Sequence, residues 1–354
     1  MVQPRQDVAL MAGYHSPQVE VAVRLNTNES PEPPPEAWRV AYAEAIETVD
    51  WHRYPDRSAS ELRRAIAELH GVDPAQVFVA NGSNEVLQTL LLAYGGAGRT
   101  AAVWEPTYAL HSHISRLTGT DVVEGERAGD LSTDLAEVRR VFAEARPSVA
   151  FLCSPNNPTG IVDGEATVRE TVGLAEAGDA LLVMDEAYGQ FAPWSALGMV
   201  DDDVPLVVTR TFSKTWSMAA VRLGYLVGPA AVVAELDKVV LPYHLDAAKQ
   251  RAGILALDYL DEMEARVARL VEERGRLTAA LADLAVDVWP SGANFVLFRP
   301  RWADGGAVWQ GLLDRSVLVR NFSAIPRLEG CLRVTVGTPD EDDAFLAALS
   351  EILT

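Results

Sequence analysis

A lysine, an aspartate and two small-residue turns stand where short apolar runs end, and their types suit chemistry on a bound aromatic ring. Lys214 lies in Thr211-Phe212-Ser213-Lys214, just after the apolar residues 206–210, with Arg222 eight positions further on. The space beyond a strand's C-terminal end is where open α/β sheets bind ligands. A single lysine there fits a solvated loop as well as a nucleophile. Asp185 closes Leu181-Leu182-Val183-Met184-Asp185, and Tyr188 follows three residues later. A carboxylate at the end of an apolar strand is unfavourable without a cationic partner. A protonated ring nitrogen would be such a partner, kept as an electron sink by the carboxylate. Capping a following helix is the plain alternative.

Ser154-Pro155-Asn156-Asn157-Pro158-Thr159-Gly160 closes another apolar run as a rigid turn, and the Asn157 amide can donate to a phenolate oxygen. Asn81-Gly82-Ser83-Asn84-Glu85 joins a strand-like run to a helix-like one. Backbone N–H groups and the helix dipole make such a turn an anion site, although many βα turns look alike. His52, His111 and His113 have no carboxylate or cysteine at metal-ligand spacing, so no metal is expected. Cys153 and Cys331 read as buried, reduced thiols.

The elements that must position these residues alternate between short apolar runs and helical periods. Strands are predicted at residues 77–80, 101–104, 149–153, 181–185, 206–210 and 224–227, with helices at 60–69, 85–93, 134–145 and 166–177. Fully apolar strands between helices imply a mostly parallel sheet covered on both faces. After residue 230 the texture changes to one long amphipathic helix, 261–284, then strands at 294–298, 317–320 and 332–336 and a last helix from 340. The first 35 residues read as irregular, with Pro31, Pro33, Pro34 and Pro35 excluding a helix there. The expected division is an N-terminal arm at 1–36, a large domain at 37–235 and a small α+β domain at 236–354.

Composition narrows the function classes. Of 354 residues 49% are hydrophobic and 23% charged, the balance of a globular protein with a real core. No apolar run approaches the roughly 18 residues of a membrane span, and residues 1–20 lack the features of a secretory signal, so a cytoplasmic location is expected. The net charge of −20 argues against general affinity for nucleic acid or anionic lipid. A few arginines can still reverse the sign locally for an anionic substrate.

Taken together, these motifs resemble the fold-type I, class I/II aminotransferases along nearly the whole chain, and within them the histidinol-phosphate aminotransferases. The closer resemblance rests on Leu25-Asn26-Thr27-Asn28-Glu29, Arg53-Tyr54-Pro55, Pro242-Tyr243-His244-Leu245, Leu318-Val319-Arg320-Asn321-Phe322 and residues 327–337. The resemblance implies pyridoxal 5′-phosphate (PLP) as cofactor, bound by Lys214, which would serve as nucleophile and then as proton shuttle with a lowered pKa. It implies that Asp185 pairs with the ring nitrogen, that Asn157 and Tyr188 bind the phenolic oxygen, and that Tyr108 stacks on the ring. A phosphate cup of Gly82, Ser83, Ser213 and Arg222, with Thr211 in the same set, is implied as well. Tyr54 would enter from a second subunit of a homodimer.

For the substrate, the resemblance implies Arg333 and Arg320 at the anionic end with Tyr14, and Asn84 and Tyr243 along the imidazole. The reaction implied is transamination between L-histidinol phosphate and 2-oxoglutarate, one site serving both anions. Two departures stand out: Ser30 precedes Pro31 where family members often have asparagine, and Ala219-Ala220-Val221-Arg222 lacks a common glycine. Three other readings remain open: an aromatic amino-acid aminotransferase, a phosphate-recognising PLP decarboxylase, and an effector-sensing domain of a transcription regulator. The last needs a basic DNA-binding module that this acidic chain lacks.

Overall fold

The computed structural model describes residues 2–9, 13 and 19–354, so Tyr14, expected at the substrate, lies outside the described residues. Twelve strands are present among them: β1 (Val23–Leu25), β2 (Val77–Ala80), β3 (Thr100–Glu105), β4 (Asp121–Glu126), β5 (Val149–Cys153) and β6 (Leu181–Asp185), then β7 (Leu206–Thr211), β8 (Gly224–Val227), β9 (Val286–Val288), β10 (Phe295–Pro300), β11 (Val317–Asn321) and β12 (Leu332–Thr335). They form a seven-stranded sheet in the order β2-β8-β7-β6-β5-β3-β4 and a five-stranded sheet in the order β1-β11-β12-β10-β9.

In the first sheet β4, β3, β5, β6 and β7 run parallel, and only β8 opposes its neighbours β7 and β2. Strand β2, antiparallel to β8, therefore points the same way as β7. The consequence is functional: the turns after β2, β3, β5, β6 and β7 all open at one edge. Every residue of β5 and β6 is buried, as expected for parallel strands covered on both sides. One face packs Phe78, Phe151 and Val183 against the helices Ser83–Tyr94, Leu110–Leu117 and Ala230–Val239. The other packs Trp104, Leu152 and Met184 against Leu135–Ala145 and Glu165–Gly178. Each fully buried aliphatic side chain of this kind contributes roughly 2 kcal/mol.

The second sheet is covered by Leu260–Ala282, Gly305–Asp314 and Pro339–Leu353 around Phe295, Phe298, Val334 and Phe345. Thr338 starts the last helix with a capping box: its hydroxyl accepts from Glu341 N at 3.3 Å while Glu341 Oε2 accepts from Thr338 N at 2.8 Å.

The α/β class and the mostly parallel sheet agree with the sequence reading, and three strands go beyond it. Strand β4 is an edge strand with Asp121, Glu124 and Glu126 exposed, so it presents no apolar run. Strands β9 and β1 have three residues each, too few for periodicity to register. The first 35 residues are thus not wholly irregular: Gln6–Ala9 forms a helical turn, and β1 joins the second sheet parallel to β11. No helix among the described residues is long and apolar enough to cross a membrane.

Candidate active site

The turns at the common edge of the first sheet wall a cavity of about 850 Å3, closed on its far side by β11, β12 and the segment after β1. Lys214 follows β7, and its Nζ donates to Thr27 O at 3.1 Å, 5.7 Å from the centre of the Tyr188 ring. Burial, with Arg333 and then Arg222 nearby, lowers its pKa to about 7 against an opposing pull from Glu29. At neutral pH much of the amine is therefore unprotonated, as a nucleophile or base requires.

Asp185 ends β6 with its carboxylate buried, accepting from Ala187 N at 3.1 Å and paired with His111 Nε2 at 2.9 Å. His111 is itself fully buried on helix Leu110–Leu117 and lies flat on Phe151, ring centres 4.8 Å apart. It clamps one carboxylate oxygen from behind and leaves the group fixed toward the cavity. No spacing rule in the sequence points to His111; its only signal is its place one turn after Tyr108. Tyr188 is buried, its Oη accepts from Asn28 Nδ2 at 2.8 Å, and burial pushes its pKa up to about 12, so the hydroxyl stays protonated.

The two asparagines of the β5 turn divide their work. Asn156 is fully buried and braces the turn, its Nδ2 donating to Pro106 O at 3.0 Å and to Thr159 Oγ1 at 2.9 Å. Asn157 faces the cavity, and its Oδ1 accepts from Arg333 Nη1, which leaves the amide N–H groups for the cavity. Arg333 also donates to Asn26 O at 3.0 Å and lies between the rings of Phe295 and Phe322, 4.9 and 5.3 Å from their centres. Arg320 faces the same space, 6.0 Å from the Phe322 ring. The loop carrying Phe322 is tied to the first sheet by Arg327, which donates to Glu105 O and Ala128 O at 3.0 Å each.

At the β2 end, Gly82 precedes helix Ser83–Tyr94 with φ +83°, and a Cβ there would come within 2.9 Å of Arg222 Nη2. A Cβ on Gly224 would strike Ser83 N at 2.4 Å. Arg222 Nη1 donates to Ser213 Oγ at 3.2 Å, and Thr211 Oγ1 donates to the same oxygen at 3.0 Å. Helix N-terminal N–H groups, a hydroxyl and a guanidinium thus converge on one small space, the donor set of a phosphate cup. Tyr108 Oη donates to Asn84 Oδ1 at 3.0 Å on the adjoining wall.

The structure does not bring Tyr54 and Tyr243 to this cavity. They stack on each other at the exterior, ring centres 4.5 Å apart, with Tyr54 80% exposed. The remaining described residues expected at the site converge around Lys214. Three residues of the segment after β1 also enter it (Asn26, Thr27 and Asn28), whose contacts span over a hundred positions of sequence. Although the chain carries a charge of −20, the cavity gathers Arg116, Arg222, Arg320, Arg333 and Lys214 against Asp185 and Glu29. Such a cleft focuses field lines that draw in anions. No group of three or more metal-ligating side chains occurs among the described residues.

Comparison with known proteins agrees with this geometry. The model of the family "Aminotransferase class I and II" matches residues 20–349. A histidinol-phosphate aminotransferase of Frankia casuarinae is 43% identical over 99% of this chain and 90% of its own length. One from Streptomyces avermitilis is 44% identical over 98% of this chain and 96% of its own. Among solved structures, the histidinol-phosphate aminotransferase of Sinorhizobium meliloti in complex with pyridoxal-5′-phosphate superposes with a TM-score of 0.90 at 24% identity, covering 100% of this chain and 98% of that one. With the family model spanning nearly the whole chain and relatives above 40% identity, this protein belongs to the class I and II aminotransferases and is an amino-group-transferring enzyme.

Proposed function

We propose that the enzyme uses PLP to move the amino group of L-histidinol phosphate to 2-oxoglutarate, giving imidazole-acetol phosphate and glutamate. The observation that carries the substrate is the placing of Arg320 and Arg333 in the same cavity as Lys214, in a chain whose near full-length relatives bear that activity in their names.

The residues fit the cofactor. The cup of Ser83 N, Ser213 and Arg222 suits its phosphate, and the two glycines, Gly82 and Gly224, leave room where any Cβ would intrude. Asp185 suits its ring nitrogen and Lys214 its carbonyl. When bound, PLP supplies an electron-accepting ring that makes the substrate's Cα–H acidic. Lys214 Nζ, its pKa lowered to about 7, would hold the cofactor and then move the proton from substrate Cα. The Asp185 carboxylate, pinned by His111, would hold a proton on the ring nitrogen. Asn157, its oxygen taken by Arg333, would donate through its nitrogen to the phenolic oxygen beside Tyr188, and Tyr108 would cover one face of the ring. Arg333 and Arg320 would bind the phosphate of one substrate and a carboxylate of the other, with Asn84 along the imidazole.

Tyr54 and Tyr243 belong to this reading through a homodimer. An exposed aromatic pair on the outer surface, next to exposed Trp51 and Leu241, suits burial against a second copy, whose cavity the tyrosines would complete. A cytoplasmic place fits such a metabolic enzyme.

The test is a half-reaction. PLP-loaded enzyme mixed with L-histidinol phosphate is expected to lose its lysine-linked absorbance on the order of a hundredfold faster than with phenylalanine, because a site built for a polar group rejects the analogue without it. Faster conversion by phenylalanine would sink the substrate assignment, and carbon dioxide released from phenylalanine, the one of the two amines with a carboxylate to lose, would replace transfer by decarboxylation. Gly82→Ala is expected to weaken PLP binding at least ~10-fold in absorbance titrations, since it strains a φ of +83° and crowds Arg222. Unchanged affinity would place the phosphate elsewhere.

A further inference from the structure

Residues 26–28 reach three side chains of the site at once. Asn26 O accepts from Arg333 Nη2, Thr27 O accepts from Lys214 Nζ, and Asn28 Nδ2 donates to Tyr188 Oη. The third contact has its direction supported by the bonds around it. Asn28 N donates to Thr335 Oγ1 at 3.0 Å, and a backbone N–H has no other polarity. The Thr335 hydroxyl, having accepted there, gives its own proton to Asn28 Oδ1 at 3.2 Å. With Oδ1 so occupied, the Asn28 amide presents only Nδ2 to Tyr188, at 2.8 Å. The Tyr188 oxygen is thereby an acceptor on that side, and its single proton must leave in another direction. Asn28, Thr335 and Tyr188 are all at most 5% exposed, so water does not compete for these bonds. Asn294 Nδ2 donates to Asn28 O at 3.2 Å and holds the peptide, whose φ of +54° suits asparagine or aspartate better than most residues.

We infer that Asn28 is a positioning residue that orients the Tyr188 proton into the cavity, toward the phenolic oxygen of the bound cofactor. The inference rests on the proposed PLP reading, in which Tyr188 faces that oxygen. A tyrosine free to rotate spends its proton on whichever acceptor is nearest, whereas here the Asn28 Nδ2 donation takes one side of the Tyr188 oxygen, and the Thr335 hydroxyl bonded to Asn28 Oδ1 holds that amide in place. The segment Leu25-Asn26-Thr27-Asn28-Glu29 then has a chemical task at its fourth residue.

The experiment reads the lysine-linked cofactor of the holoenzyme by absorbance against pH. A proton donated to the phenolic oxygen favours the form in which that oxygen carries more negative charge, which is the deprotonated linkage. Losing the donation raises the apparent pKa. Asn28→Asp is close to isosteric but turns the group facing Tyr188 into an acceptor, drawing the proton away from the cavity. It is expected to raise the apparent pKa by ~1 unit, the shift also expected of Tyr188→Phe. In the Tyr188→Phe background the Asn28→Asp change is expected to add nothing, because both act through one hydroxyl. A shift that persists in that background would come from the new carboxylate's charge and overturns the inference. Thr335→Val, an uncharged change that frees the Asn28 amide to turn over, is expected to shift the pKa in the same direction by less. No shift in either variant overturns the inference as well. A wild-type protein that forms no lysine-linked absorbance with PLP would overturn the cofactor reading itself, an outcome distinct from a wild type that forms it and variants that do not move it.

Discussion

Lys214→Ala is expected to lower the transamination rate by on the order of 10⁴-fold or more, because it removes the group that in the proposed reading would both hold the cofactor and move the substrate's proton. The fold should survive: the Lys214 amine makes one hydrogen bond, to Thr27 O, and its ammonium is unfavourably buried near Arg333 and Arg222. Single-turnover rates with histidinol phosphate, beside far-ultraviolet circular dichroism, separate the two effects. A residual rate within tenfold of wild type would remove Lys214 from the chemistry. The same site gives a signed pH dependence for the cofactor-free protein. The folded pKa of about 7 lies below the ordinary 10.5, so between these values the unfolded chain binds more protons than the folded one. Stability attributable to this group therefore rises as pH increases through that window. Lys214→Met should flatten that rise in thermal melts of the cofactor-free enzyme.

Asp185→Asn is the second large effect, an expected fall in rate on the order of 10³-fold with the cofactor still bound. The substitution keeps shape and the contact with Ala187 N, but it removes the negative charge that would keep the ring nitrogen protonated. Charge stabilisation of a developing carbanion in a buried site is worth about that much when one group is lost. The measurement is again the half-reaction, followed at saturating histidinol phosphate so that binding does not enter. An unchanged rate would reduce Asp185 to a strand-end cap, the alternative its sequence position allowed.

How far the sequence alone reached depended on how locally each signal was encoded. Strands β5 and β6 were legible to the residue because all five positions of each are apolar or at the sheet edge, and burial on two faces demands it. Lys214, Asn157 and Gly82 were legible as candidates because each follows a strand by a few residues, and Asp185 because it ends one. Strand β4 was not, since an edge strand facing solvent needs no apolar run. His111 escaped because a buried histidine beneath a carboxylate has no signature in its own neighbours; its partner lies 74 positions away. Asn28 escaped for the same reason, with partners 160 and 307 positions away. Tyr54 and Tyr243 were placed by resemblance, and within one chain their geometry is that of a surface pair.

Strand β1 pairs Val23 with Val317 and Leu25 with Val319, so nearly the whole chain separates the two strands that frame residues 26–28. That separation has a kinetic meaning. Contacts so far apart along a chain close late, because the loop entropy must be overcome before they give anything back. During synthesis the first sheet, complete once β8 at Gly224–Val227 has emerged, can assemble its phosphate cup while β11 and β12 are still unmade. On this order the cup would form before the rest of the site, and β1 would wait for β11. Catalytic competence in this enzyme is therefore expected to come late in folding, once β1 has met β11.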